Sequence, residues 1–315
     1  MIILGNSSIC LKCLLLIIQT KIIIMFETLK AISYAKINLH LDIGNKRADG
    51  FHDIYSFFKT ISLHDEIQLN IDKDISQKII EIKGNFSCNA ENNLIYKAAE
   101  QFMEKLGRNF FVQFNVNKMI PEGGGLGGGS SNAAAALKAL NTHFNNYFSK
   151  NDLKNIASLI GSDIPFFLEE STIALVTGRG DIVEPVFIDM PEYPLLLVYP
   201  GFQVKTADAY SWLDSDRGNN RHNIEKVENS MLLEDPSKWK FLNSFKKPLE
   251  KRFEIYNRLF LAFMDNEAKF FSITGSGSVI YGIFTDRENL VKAYNAIKRF
   301  CPDIWITNTL VSKFS

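Results

Sequence analysis

Alternation is the first signal along the chain. Over 28–43, apolar Ile37, Leu39, Leu41 and Ile43 alternate with Lys36, Asn38, His40 and Asp42, the two-residue period of a strand with one core face and one face free to line a site. Further strands are expected at 55–70 and 78–83, in an antiparallel arrangement, and at 110–117, where Val112, Phe114 and Val116 share a face. Over 92–106 the period changes to 3.6. Leu94, Ile95, Ala98, Phe102 and Leu106 fall on one stripe, with an asparagine cap before them and Gly107 after. A second helix starts near Asp152, carries Leu153, Ile156, Ala157 and Ile160, and ends at Gly161. Beyond Pro185 and Pro191 the pattern predicts a buried strand at 195–199 and a polar loop at 214–223. A helix at 246–266 follows, with Lys246, Lys247, Lys251 and Arg252 on a solvated face. Strands at 270–274 and 279–284, a helix at 288–300 and a strand at 304–310 complete a split β-α-β pattern, so this half is expected to be ferredoxin-like.

One stretch breaks the periodicity. Pro121-Glu122-Gly123-Gly124-Gly125-Leu126-Gly127-Gly128-Gly129-Ser130-Ser131-Asn132 runs straight into Ala133-Ala134-Ala135-Ala136-Leu137, a strong helix former that Ser130 or Ser131 can cap. Glycines without side chains let successive N–H groups converge on an anion, and the helix N-terminus behind them adds its positive end. Phosphate binding follows, but two common versions do not fit. Gly124 and Gly129 have the Walker A spacing, yet Ser130 and Ser131 stand where a lysine and Ser/Thr are required. Gly123, Gly125 and Gly128 satisfy G-x-G-x-x-G, but no second strand ending in an acid follows some 20 residues on. A flexible hinge would not open directly onto an alanine-rich helix.

Composition narrows the class. A chain of 315 residues is long enough for about two domains. With 35 basic and 35 acidic residues, nothing favours nucleic acid or an anionic membrane as a bulk partner. Four cysteines, Cys10, Cys13, Cys88 and Cys301, are too scattered for a disulfide framework, which points to a reducing cytoplasm. The Cys10/Cys13 pair lacks a second pair for zinc, and the five histidines form no ligand set. Residues 10–24 are apolar but broken by Lys12, Gln19 and Lys21, with no uninterrupted run for a membrane span, a membrane anchor being the alternative, and residues 1–24 show no cleavage site. They are expected to be an extension outside the fold.

The long glycine-serine-asparagine-alanine motif resembles that of the galactokinase, homoserine kinase, mevalonate kinase and phosphomevalonate kinase (GHMP) superfamily, and other segments resemble its branch acting on cytidine-diphosphate-linked methylerythritol. The resemblance implies an α+β, two-domain GHMP kinase fold. Residues 25–185 would be an N-terminal ribosomal-protein-S5-domain-2-like ATP-binding domain, and 186–315 a ferredoxin-like substrate-side domain. The expected partners are ATP, Mg2+ and that small molecule, without nucleic acid or membrane, in a monomer or weak homodimer. Ala35-Lys36-Ile37-Asn38-Leu39 and Gly161-Ser162-Asp163-Ile164-Pro165-Phe166-Phe167 match segments that make Asp163 the catalytic base and Lys36 its neighbour, although by itself Asp163 is an ordinary cap or turn former. The segment through Asp49-Gly50-Phe51-His52 implies that Phe51, in place of the commoner tyrosine, stacks on cytosine while His52 bonds its edge. Thr206 and Tyr210, one helical turn apart, and Gly275-Ser276-Gly277 would complete the substrate side, with Asn38. Pro121 through Ser131 would hold the ATP phosphates. The Mg2+ ligand is not readable, Ser131 being a candidate by position alone. The activity implied is ATP-dependent phosphorylation of the substrate's 2-hydroxyl in non-mevalonate isoprenoid synthesis. The alternatives are a mevalonate- or homoserine-type kinase and a non-catalytic nucleotide sensor.

Overall fold

A computed structural model describes residues 27–310; the extension 1–24, with Cys10 and Cys13, lies outside the described residues. The first half is built on two long antiparallel strands, β1 (Glu27–Lys46) and β2 (His52–Asp72), joined by the turn at 47–51. β3 (Ile79–Lys83), helix α1 (Leu94–Leu106) and β4 (Phe111–Asn117) follow. β3 pairs with β4 in parallel, not antiparallel as the alternation suggested. The reason is the crossover: α1 lies between them, and a helix-length connection returns the chain in the same direction. Asn93 caps α1 through its side chain, and Gly107 ends it in the left-handed region, as its sequence predicts.

Helices α2 (Gly128–His143) and α3 (Lys150–Ile160) lead to β5 (Ile173–Thr177) and β6 (Ile182–Pro185), which complete a six-stranded sheet. The alanines of α2 pack against α1 and β1 with no more than 8% exposure, since small side chains let helix and sheet approach closely. The second half runs β7 (Pro194–Val198), α4 (Thr206–Arg217), α5 (Lys246–Arg252), α6 (Ile255–Asp265), β8 (Phe270–Ile273), β9 (Ile280–Ile283), α7 (Arg287–Lys298) and β10 (Ile304–Asn308). Its sheet order β10-β7-β9-β8, all antiparallel, is the ferredoxin-like order.

Three expectations change here. The polar stretch 214–217 is the last turn of α4 rather than loop, because Ala209 and Leu213 bury the opposite face. The helix expected over 246–266 is two, broken where Phe253 turns extended and stacks on Phe202 at 4.6 Å. Lys246 is not simply solvated: its Nζ lies 4.3 Å from the Phe260 ring centre, while Lys247, Lys251 and Arg252 are exposed. One apolar core joins Ile54 and Phe58 of the first sheet to Leu249 and Tyr256 beside the second, which fixes the two sheets around a cleft.

Candidate active site

The glycine stretch leaves β4, turns through Pro121 and enters α2, whose cap is Gly127 in the left-handed conformation (φ 69°). Neither serine caps the helix. Ser131 is 3% exposed and its hydroxyl accepts from Ser33 Oγ at 2.7 Å, inside the fold; Ser130 is half-buried in the first turn.

The glycines do two different jobs. Gly124 and Gly125 face the second glycine loop, Thr274-Gly275-Ser276-Gly277-Ser278. There Val279 N donates to Gly124 O (3.2 Å) and Thr274 Oγ1 donates to Gly125 O (3.0 Å). A Cβ on Gly125 would stand 2.2 Å from Thr274 O, and one on Gly124 2.6 Å from Val279 Cγ2. On Gly123 it would meet Gln203 at 2.4 Å, and on Gly128 it would meet Ile120 at 2.9 Å. Gly129, by contrast, is exposed, with no neighbour nearer than 3.6 Å. Leu126 is 1% exposed and pins the loop into the core beside Ala35 and Ile37, while Glu122 holds Ser87 N at 3.0 Å.

Strand β1 brings Lys36 beneath this loop, its own N–H donating to Leu126 O at 2.9 Å. The Lys36 ammonium is buried over the Phe58 ring at 4.4 Å, donates to Asn38 Oδ1 at 2.7 Å and lies 3.5 Å from Asp163 Oδ2. Burial pulls its pKa below the ordinary lysine value, and the Asp163 carboxylate opposes that. Asp163 sits in the turn before the short 3-10 segment Pro165–Leu168. Ile164, without a side-chain bond, holds the cap position there, so the carboxylate is left for Lys36 and the cleft. Asn38 joins pair and loops: its Oδ1 also accepts from Gly275 N at 2.9 Å.

The cleft that opens from this pair has a volume of about 920 Å3 and is also lined by Phe51, His52, Arg179, Thr206, Tyr210, Asp214, Gly275 and Ser276. His52 is buried, stacks on Tyr210 (centroids 4.8 Å apart) and places Nε2 2.8 Å from Asp214 Oδ1. Burial, with Asp163 adding, pushes the Tyr210 phenol up to about 12, so it stays a protonated donor. Thr206 Oγ1 and Ser276 Oγ are 3.1 Å apart, tying α4 to the second loop. Phe51 is 54% exposed at the rim, with the Arg179 guanidinium 4.8 Å from its ring centre. Thus Lys36, Asn38, Phe51, His52, Asp163, Thr206, Tyr210, Gly275 and Ser276 share one cleft, joined by Gly125 and Gly127, whereas Gly277 packs on Leu249 and Tyr256 behind it.

Sequence reasoning missed Asp214, which sat in a presumed loop, and Arg179. It also missed a buried network behind the loop. Asp65, fully buried, accepts from Lys118 Nζ (2.5 Å), Met119 N, Ile120 N and Asn132 Nδ2 (2.8 Å). Asn132, inside the quoted motif, was the one available sign of it.

Comparison with known proteins gives a consistent set of likenesses. A family model described as the GHMP kinases N terminal domain matches residues 93–170. A 4-diphosphocytidyl-2-C-methyl-D-erythritol kinase of Thermodesulfovibrio yellowstonii is 34% identical over 287 residues, 89% of this chain and 97% of its own. The protein of the same name from Thermotoga maritima is 39% identical over 259 residues, covering 80% and 91%. A crystal structure of a 4-(cytidine 5'-diphospho)-2C-methyl-D-erythritol kinase superimposes with a TM-score of 0.76 at 26% identity, over 89% of this chain and 99% of that one. A homoserine kinase from Cytophaga hutchinsonii, at 18% identity and a TM-score of 0.64 over 92% and 96%, shares the fold.

Proposed function

The chain belongs to the 4-diphosphocytidyl-2-C-methyl-D-erythritol kinase family of GHMP kinases, and from that premise we propose that it transfers the γ-phosphoryl group of ATP to the 2-hydroxyl of that substrate, in isoprenoid precursor synthesis. The observation that carries the residue assignment is the buried Lys36 held 3.5 Å from a part-exposed Asp163, at the junction of two glycine loops.

Asp163 takes the proton from the attacking hydroxyl as the bond to phosphorus forms. Lys36 pairs with the Asp163 carboxylate across 3.5 Å and faces the charge that develops on the transferred group. Its low-dielectric position over Phe58 strengthens both effects. The N-terminus of α2 and the amides of 123–130 receive the ATP phosphates. Tyr210, His52 and Phe51 bind the cytosine end, and Thr206 with Ser276 closes the far wall. The first half thus serves the nucleotide and, through Phe51 and His52, the cytosine, while the second half contributes the opposite wall through Thr206, Tyr210 and Ser276.

Among the described residues no group of three or more His, Cys, Asp or Glu side chains could hold a metal ion, and the Ser131 hydroxyl is engaged inside the fold. In this proposal Mg2+ would be carried in on the nucleotide, a common mode for that ion. When bound it would neutralise phosphate charge. Among the described residues no helix is long and apolar enough to cross a membrane; a cytoplasmic location is part of the proposal.

The decisive experiment is turnover by Asp163→Asn with the cytidylated substrate. Loss of a general base lowers kcat by about 10²–10⁴-fold with ATP binding retained. Undiminished kcat would remove Asp163 from this role, and activity on mevalonate or homoserine instead would overturn the substrate assignment.

A further inference from the structure

The charge balance of the cleft leaves one group unused. Its lining holds three cations, Lys36, Lys46 and Arg179, against two carboxylates, Asp163 and Asp214. Lys36 lies 3.5 Å from Asp163 and Lys46 3.9 Å from Asp214. Arg179 has no carboxylate within ion-pairing distance among the described residues; nearby Asp181 is taken by the Arg179 backbone N–H at 2.8 Å. Arg47 is no competitor, because Asp49 and Asp53 hold it at 3.0 and 2.8 Å.

Position adds to charge. Arg179 is exposed in the β5–β6 turn, between two left-handed glycines, Gly178 and Gly180. That turn is fixed to the site strand, because Ile54 N donates to Gly178 O at 2.8 Å. The guanidinium rests against the Phe51 ring, which orients the fork without using its N–H groups. The result is a preoriented, uncompensated guanidinium on the wall shared by Phe51 and by Ser162 next to Asp163. A planar fork of this kind matches phosphate oxygens two at a time.

We infer that Arg179 is a substrate-binding residue that receives the diphosphate of a nucleoside diphosphate whose base lies against Phe51. This rests on the cytidylated substrate proposed above. Arg179 then reads the anionic link between base and sugar alcohol, and contributes nothing to a bare nucleoside.

The test is isothermal titration of cytidine and of cytidine 5'-diphosphate into the full chain, wild type, Arg179→Met and Arg179→Lys, each checked for an unchanged melting temperature. Arg179→Met keeps side-chain bulk on Phe51 and removes the charge. A lost charge-assisted contact corresponds to roughly 10–100-fold in affinity. The expected result is therefore at least a tenfold weaker diphosphate constant in Arg179→Met, a cytidine constant within about twofold of wild type, and an intermediate value for Arg179→Lys. A diphosphate-to-cytidine ratio that stays at the wild-type value in Arg179→Met overturns the inference alone, whether both constants hold or both weaken. Wild-type protein that binds ATP but neither cytidine ligand overturns the substrate assignment itself, and the inference with it.

Discussion

Two glycines four positions apart in the same loop should respond in opposite ways to the same methyl group. Gly125 has φ 79°, and a Cβ there would stand 2.2 Å from the carbonyl oxygen of Thr274, a backbone atom that cannot rotate away. The left-handed backbone alone costs an alanine about 1–2 kcal/mol, and forcing a methyl into a closed contact about 1–3 kcal/mol more. Gly125→Ala should therefore lose about 2–5 kcal/mol, and at 2–4 °C per kcal/mol its melting temperature should fall by roughly 4–20 °C. Gly129 lies inside the first turn of α2, is exposed, and would meet only Leu94 Cδ1 at 3.6 Å. Alanine is preferred to glycine in a helix by up to about 1 kcal/mol, so Gly129→Ala should melt at or slightly above wild type. If Gly129 is where the backbone approaches the phosphates, its methyl group should nonetheless raise the KM for ATP. Thermal denaturation and initial rates against ATP separate these effects: Gly125→Ala is a stability lesion, Gly129→Ala an ATP lesion. Equal melting temperatures for the two variants would refute the division of the loop into a packing half and a phosphate half.

Two further outcomes follow from buried charge. Lys59 is 1% exposed, donates to Leu310 O at 2.6 Å, and burial alone lowers its pKa to about 7. Between that value and 10.5 the unfolded chain binds the extra proton, so this group makes stability rise with pH, by up to about 3 kcal/mol from pH 7 to 10. Urea midpoints of wild type should climb over that range relative to Lys59→Met, and parallel curves would sink the assignment. Asp65→Ala leaves Lys118, whose side chain is 8% exposed, without its carboxylate. The loss should be about 3–5 kcal/mol, whereas isosteric Asp65→Asn should melt between the two; a melting temperature for Asp65→Ala within 2 °C of wild type would contradict this.

Periodicity made most elements legible, and its failures have local causes. The alternation over 28–43 identifies the face that carries Lys36 and Asn38, because a strand places every second side chain together. It carries no information on which neighbour a strand chooses, and so the parallel β3–β4 pair was visible only through the intervening helix. Asp214 was hidden because α4 has little apolar contrast, with only Ala209 and Leu213 buried. The glycine motif marked the loop but not its function residue by residue. Whether a glycine is needed for phosphate approach or for packing depends on Thr274 and Val279, about 150 positions away.

Asn38 explains why the pair tolerates burial. Its Nδ2 donates to Ser56 Oγ at 2.9 Å while the Ser56 hydroxyl donates onward to His40 O, so the amide can present only its oxygen to the opposite side. That oxygen accepts from Lys36 Nζ and from Gly275 N. A carboxylate at this position would offer the same contacts but would neutralise the ammonium and compete with Asp163 for it. A serine would lack the reach to hold both partners. A neutral acceptor therefore fixes the lysine in space without consuming its charge, which stays directed at Asp163 and, in the proposed reaction, at the transferred phosphoryl group. The same bond to Gly275 ties the second loop to that lysine, so the lysine and the second glycine loop share one polar atom.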